Sequence, residues 1–206
     1  MLSFGRSGIR PPQNRAVTAR QSADERGINV RLFIAIPFDN TIKSALRDVQ
    51  NEFRRQGVTG NYTRVDNLHM TLAFIGEHDE PARIMEVMRT VDFRPFTLRL
   101  AGTGSFGDIR WCGIEDCPEA FALAKQLRNA LAAAGIPFDA KRFNPHITLI
   151  RKSQLPYGAA RTDVKVTRAE MRVDRFALME SARDKNGILV YTELGSAAAQ
   201  AVDRPQ

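Results

Sequence analysis

Apolar and polar positions along the chain fall into two alternating patterns. A compact apolar run, Val30–Ile36 (VRLFIAI), is bounded by Pro37 and predicts a buried strand. From Asp39 to about Gln56 the period changes. Ile42, Leu46, Val49 and Phe53 recur at helical spacing, Asp39 stands where an N-cap belongs, and Gly57 stops the run. Leu68–Ile75 (LHMTLAFI) predicts a second strand, closed by Gly76, and Pro81–Val91 a helix with Ile84, Met85, Val87 and Met88 on its apolar side. Two strands follow, Phe96–Ala101 and Arg110–Ile114, with Gly102, Gly104 and Gly107 marking the turn region. An Ala- and Leu-rich helix runs from about Cys117 to Ala134 and stops at Gly135. Pro145–Arg151, Arg172–Glu180 and Ile188–Leu194 complete the strands, with Lys185-Asn186-Gly187 as the last turn. Several strands succeed one another with no helix between them. That order predicts an α+β fold with mainly antiparallel sheets, not a doubly wound parallel sheet.

Length and charge sharpen this picture. At 206 residues the chain suits one domain or two lobes sharing a core. Its formal charge is +7, which favours anionic partners. Residues 1–28 carry five arginines against two acids, so much of that charge lies in a polar leader with Pro11-Pro12, expected to be disordered. Residues 29–195 are expected to form the folded domain and 196–206 a fraying tail. No apolar run approaches the roughly 20 residues of a membrane span, and the leader lacks the apolar core of a secretory signal. Two cysteines, Cys112 and Cys117, exclude a disulfide scaffold and read as free thiols of a cytoplasmic protein. There is no G-x-G-x-x-G and no Walker A sequence.

The candidate chemistry lies in a repeat. His69-Met70-Thr71-Leu72 and His146-Ile147-Thr148-Leu149 are both H-x-T-L inside strand patterns. Side chains alternate faces along a strand, so each segment sets an imidazole beside a hydroxyl. Leu68, Met70, Leu72 and Phe74 then form the opposite face of the first, Ile147 and Leu149 that of the second. One histidine in a strand is usually structural. Two in the same phase, out of three in the chain, predict a duplication that sets them across a shared cleft. Imidazole titrates near neutrality, so one copy can serve as base while the other serves as acid. In-line hydrolysis of a phosphodiester needs both roles, and threonine hydroxyls can donate to the phosphate oxygens. No metal or cofactor is required, and no acidic cluster stands beside the histidines with ligand spacing.

At these residues the chain resembles the two-histidine (2H) phosphoesterases, and more closely the RNA 2′,3′-cyclic phosphodiesterases, also called RNA 2′-5′ ligases. The resemblance covers roughly residues 30–195. It rests on RLFIAI, on Asn67 to Glu77, on Phe143-Asn144-Pro145-His146-Ile147-Thr148-Leu149 and on Leu178-Met179-Glu180-Ser181. It implies a bilobal, LigT-like α+β fold around a central cleft. It further implies metal-independent hydrolysis of a 2′,3′-cyclic phosphate to a 2′-phosphomonoester, with reverse 2′-5′ ligation. His69 would be the acid toward the 3′ oxygen, His146 the base for water, and Thr71 and Thr148 the phosphate contacts. The chain departs from the family where Trp-x-Pro often precedes the first motif; here Tyr62-Thr63-Arg64 stands. Ile150-Arg151 replaces a frequent Ala-Arg.

Arg151, Phe143 and Tyr62 are candidates for substrate contact. Phe143 and Tyr62 could stack on a base, and a core role is at least as strong a reading for Phe143. Regular strand phase puts Arg151 with Ile147 and Leu149, away from the histidines, unless a bulge re-aims it. His78 reads as a solvated loop residue and Trp111 as core. The expected partners are RNA ends bearing a 2′,3′-cyclic phosphate, or small cyclic nucleotides, met by a monomer. Cleavage of 2′-5′ linkages by the same residues and a non-catalytic RNA-binding module are the alternatives. The binding module has no use for two matched imidazole–hydroxyl pairs.

Overall fold

The computed structural model describes residues 31–158 and 164–200. The leader at 1–28 and the chain beyond 200 lie outside the described residues. Among the described residues nine strands form two antiparallel sheets, joined by three α-helices. The first sheet has the order β3-β1-β8-β9, made of His69–Gly76, Arg31–Pro37, Arg175–Arg183 and Leu189–Ala198. The second has the order β2-β6-β5-β4-β7, made of Thr59–Tyr62, Ile147–Gln154, Ile109–Ile114, Phe96–Phe106 and Glu170–Val173. The chain passes between the sheets four times, so each lobe draws on both ends of the sequence. One H-x-T motif lies in each lobe.

Helix α1, Asn40–Arg55, is capped by the Asp39 carboxylate, which accepts from the Ile42 amide at 2.9 Å. Its face of Ile42, Leu46, Val49 and Phe53 packs beneath β6 and β7. Helices α2, Pro81–Arg89, and α3, Pro118–Ala133, pack on the first sheet against β9 and β3. The helix that follows β1 therefore supports the second sheet, and the helix that follows β5 supports the first. One continuous core runs through both lobes.

Four local expectations are corrected. Phe74 is 40% exposed whereas Ala73 and Ile75 are buried, because the register against β1 slips between Ile34 and Ala35 and leaves Leu72 as an extra residue. The single strand expected over 172–180 is two, β7 and β8, broken at Asp174. The tail does not fray from Ser196: β9 continues to Ala198, and Ala197 is buried. His78 is mostly buried, and its Nδ1 accepts the Glu80 amide at 3.1 Å at the start of α2.

Candidate active site

The first motif opens β3 and the second leads into β6, and these two strands meet across the lobes. Each imidazole is held in the same way. The Nδ1 of His69 lies 2.7 Å from the Asn67 carbonyl oxygen, and that of His146 lies 2.8 Å from the Asn144 carbonyl oxygen. A carbonyl oxygen only accepts, so in both rings Nδ1 carries the proton. Each Nε2 is then left to take or give a proton. In His69 it lies 3.1 Å from the Thr71 hydroxyl. In His146 it has no hydrogen bond among the described residues.

The surroundings differ. His69 packs against Phe33 at 4.8 Å and edge-on against Tyr191 at 5.2 Å, both between ring centroids. Burial, followed by the nearby charges of Arg151 and His146, lowers its pKa to about 4, although the bond to Asn67 works the other way. Free His69 is therefore neutral at pH 7. His146 touches the exposed Phe106 edge-on at 5.2 Å, and Phe106 in turn lies on Trp111.

Both motifs share a backbone irregularity. On β6, Trp111 pairs with Thr148 and Arg110 with Ile150, so Leu149 is the extra residue of a bulge. Leu72 holds the same place on β3. In each motif the leucine of H-x-T-L is the bulged residue, and a helix side chain reaches its carbonyl. Gln50 of α1 donates to the Leu149 oxygen at 3.0 Å and to the Thr63 oxygen at 2.8 Å. Arg128 of α3 donates to the Leu72 oxygen at 3.2 Å. The bulge also decides the place of Arg151. Leu149 and Ile150 are both buried, the strand phase inverts, and Arg151 joins His69 and Thr148 in lining a cleft of about 340 Å³. Uninterrupted alternation, which pointed Arg151 away, is thereby corrected.

Beyond His69 the cleft is lined by Asn61, Tyr62, Thr63, Arg64, Arg183, Ile188, Leu189 and Tyr191, whereas His146 and Thr71 are not among its lining residues. Asn67, buried, closes one wall by donating to the Leu189 carbonyl at 2.9 Å. Tyr62 lines the cleft, but its hydroxyl donates to the Val58 oxygen at 2.7 Å and Arg54 covers a face of its ring at 3.9 Å. Phe143 is not part of the cleft lining: it packs edge-on against Phe121 of α3 at 5.4 Å. Cys112 and Cys117 are free and buried, and burial lifts the Cys112 thiol to about 12. Among the described residues no group of three or more His, Cys, Asp or Glu is placed to hold a metal ion. Among them, too, no helix is long and apolar enough to cross a membrane.

Residues 40–185 match the 2′-5′ RNA ligase superfamily. The chain belongs to that superfamily. Among curated relatives in the superfamily, an RNA 2′,3′-cyclic phosphodiesterase of Archaeoglobus fulgidus is 32% identical over 80% of this chain and 98% of its own. One of the same name from Thermotoga maritima is 29% identical over 77% and 90%. Of the solved structures, Escherichia coli LigT in apo form superposes with a TM-score of 0.69 at 25% identity, covering 84% of this chain and 99% of LigT. TT0787 of Thermus thermophilus superposes with a TM-score of 0.67 at 30% identity over 82% and 97%. The superfamily fold is the bilobal α+β arrangement expected from the sequence. Sequence reasoning missed Gln50, Arg128 and Tyr191. The signal for Gln50 was a polar residue on the otherwise apolar face of α1. Arg128 and Tyr191 gave none.

Proposed function

We propose that this protein hydrolyses the 2′,3′-cyclic phosphate at RNA ends to a 2′-phosphomonoester, using His69 and His146 as an acid–base pair. One observation carries it: two H-x-T motifs from different sheets converge, each with Nδ1 tied to a carbonyl and Nε2 presented for proton transfer. The family membership and the curated relatives named RNA 2′,3′-cyclic phosphodiesterase support the substrate class.

The step balances with water alone. A P–O bond forms to water, whose proton passes to one imidazole. The bond from phosphorus to the 3′ oxygen breaks, and the other imidazole supplies the proton that oxygen needs. His146 serves as base and His69 as acid, and the bound phosphate assists the second role. Its negative charge lies where burial and Arg151 otherwise oppose a proton on His69, and so returns the imidazolium. Thr71, Thr148 and Arg151 hold the non-bridging oxygens as charge builds on them. Both H-x-T motifs come from one chain, which supports a monomer. Reversal of the same step would join a 2′-phosphate to a 5′ hydroxyl.

The test is an oligonucleotide ending in a 2′,3′-cyclic phosphate, assayed in excess EDTA. The expected result is a 2′-phosphomonoester, with activity lost in His69→Ala and His146→Ala. Full activity in either variant, or complete loss with EDTA, rejects the proposal.

A further inference from the structure

The cleft holds more positive charge than one cyclic phosphate uses. Three of its lining residues are arginines, Arg64, Arg151 and Arg183, and none is acidic. A 2′,3′-cyclic phosphate carries a single negative charge. Arg151 is the one beside His69, since its charge acts on both His69 and Tyr191. Arg64 and Arg183 act on neither and occupy the outer part of the cleft.

Strand register fixes where that outer part lies. Tyr191, whose ring meets His69, pairs with Ser181 on β8. One strand repeat further toward the turn, Leu189 pairs with Arg183. Paired residues share a face, and a two-residue step along a strand is about 7 Å. Arg183 and Leu189 therefore stand one step beyond the aromatic that touches His69. Arg64 approaches from the other lobe, at the start of the 3-10 turn Val65–Asn67, and the Asn67 bond to Leu189 ties that turn to β9. Ile188 and Leu189 add 43% and 37% exposed apolar surface at the same rim. Among the described residues neither outer arginine has an acidic partner. Arg183 spends one N–H on the Gly187 carbonyl at 2.6 Å and keeps the rest of its fork free.

We propose that Arg64 and Arg183 form a second anion subsite, which takes the 5′-phosphate of the nucleotide that carries the cyclic phosphate. The inference rests on the function proposed above and narrows its substrate class. The preferred substrate is an RNA end, or any nucleotide with a 5′-phosphate as well as the cyclic one, and not a bare nucleoside 2′,3′-cyclic phosphate. Two guanidiniums separated from the reacting centre by one strand step suit the next phosphate of a nucleotide chain. The apolar rim at Ile188 and Leu189 suits a base face or a ribose.

The experiment compares three probes at equal salt: a nucleoside 2′,3′-cyclic phosphate, the same nucleoside with an added 5′-phosphate, and a dinucleotide ending in the cyclic phosphate. Wild-type kcat/KM is expected to rise at least tenfold on adding the 5′-phosphate, mostly through KM. Arg64→Ala with Arg183→Ala brings the ratio close to one, and the salt dependence of kcat/KM on the dinucleotide becomes shallower. Losing Arg183 also removes a brace of the β8–β9 turn, so Arg64→Ala alone is the control; it lowers the ratio without touching that turn. A wild-type ratio of one with clear turnover of the bare nucleoside cyclic phosphate overturns the subsite and leaves the proposed activity standing. So does a ratio that survives in the double variant. No turnover of any of the three overturns the activity itself, and the subsite with it.

Discussion

His69 is wedged between Phe33 and Tyr191 with a hydroxyl on its Nε2, whereas His146 meets Phe106 and leaves its Nε2 free of hydrogen bonds among the described residues. Both belong to the same tetrapeptide pattern, with Nδ1 on the carbonyl two residues before the histidine and a bulge at the leucine directly after the threonine. Local sequence thus dictates tautomer and orientation. Tertiary packing dictates protonation. Duplication makes two equivalent imidazoles, and packing separates them: burial lowers the proton affinity of His69, so its role as acid calls on the charge of a bound phosphate.

The comparison breaks most directly at the histidines. His69→Gln and His146→Gln are each expected to lower kcat by 10²–10⁴-fold, the range for loss of one general acid or base. The substituted amide keeps a polar group in each position, so far-ultraviolet circular dichroism should remain that of the parent. A loss confined to one histidine would show that only one copy works in catalysis.

Protonation offers a second break. The folded-state pKa of His69 is lowered from 6.5 to about 4, so the unfolded chain binds the proton more tightly. Stability is fully present above about pH 6.5 and falls as pH drops toward 4, by about 3 kcal/mol in all. His69→Gln should flatten that slope in urea titrations between pH 4 and 7, and a slope left unchanged would place its cause elsewhere. In kinetics, kcat/KM reports the free enzyme, so its acid limb belongs near pH 4. The limb in kcat shifts upward, because bound phosphate favours the imidazolium.

How much of this was legible in the sequence follows from range. Helix α1 with its Asp39 cap, the interleaved strands and the two H-x-T motifs are local patterns, and they were readable as such. Phe74 was not, and Arg151 was readable only as a candidate that needed a bulge, because a bulge at Leu72 or Leu149 inverts strand phase without leaving a mark in composition. β2, Thr59–Tyr62, reads TGNY and has no apolar alternation to announce it. Phe143 adjoins the second motif in sequence but packs on α3, the core role that the sequence left open beside base stacking. Tyr191 reaches His69 from β9, at the opposite edge of the first sheet from β3, and only the fold reveals that contact.

The two bulge clamps sharpen the comparison. Gln50→Leu leaves the Leu149 and Thr63 carbonyls short of a buried donor and is expected to cost about 1–3 kcal/mol of stability. Arg128→Met should cost less, because Arg128 is only half-buried and its other bonds, to Lys141 and Asp139, are exposed. Their kinetic signatures should separate. Loosening Leu149 displaces Thr148 and Arg151, so Gln50→Leu raises KM. Loosening Leu72 displaces His69 and Thr71, so Arg128→Met lowers kcat. Identical profiles would show that the clamps act through general stability alone.

The smallest expected effect concerns the threonines. Thr71 bonds the Nε2 of its own histidine, whereas Thr148 lines the cleft with no such bond to His146 among the described residues. Thr71→Val keeps the shape and removes the hydroxyl. It forfeits a hydrogen bond worth about 0.5–1.5 kcal/mol, so kcat/KM should fall roughly threefold to tenfold from the loss of ring alignment together with phosphate contact. Thr148→Val loses the phosphate contact only and should act mainly on KM. Serine at either position restores the hydroxyl and should recover most of the activity. Equal kcat losses in the two valine variants would mean that both hydroxyls serve the phosphate and that the Thr71–His69 bond gives way once substrate is bound.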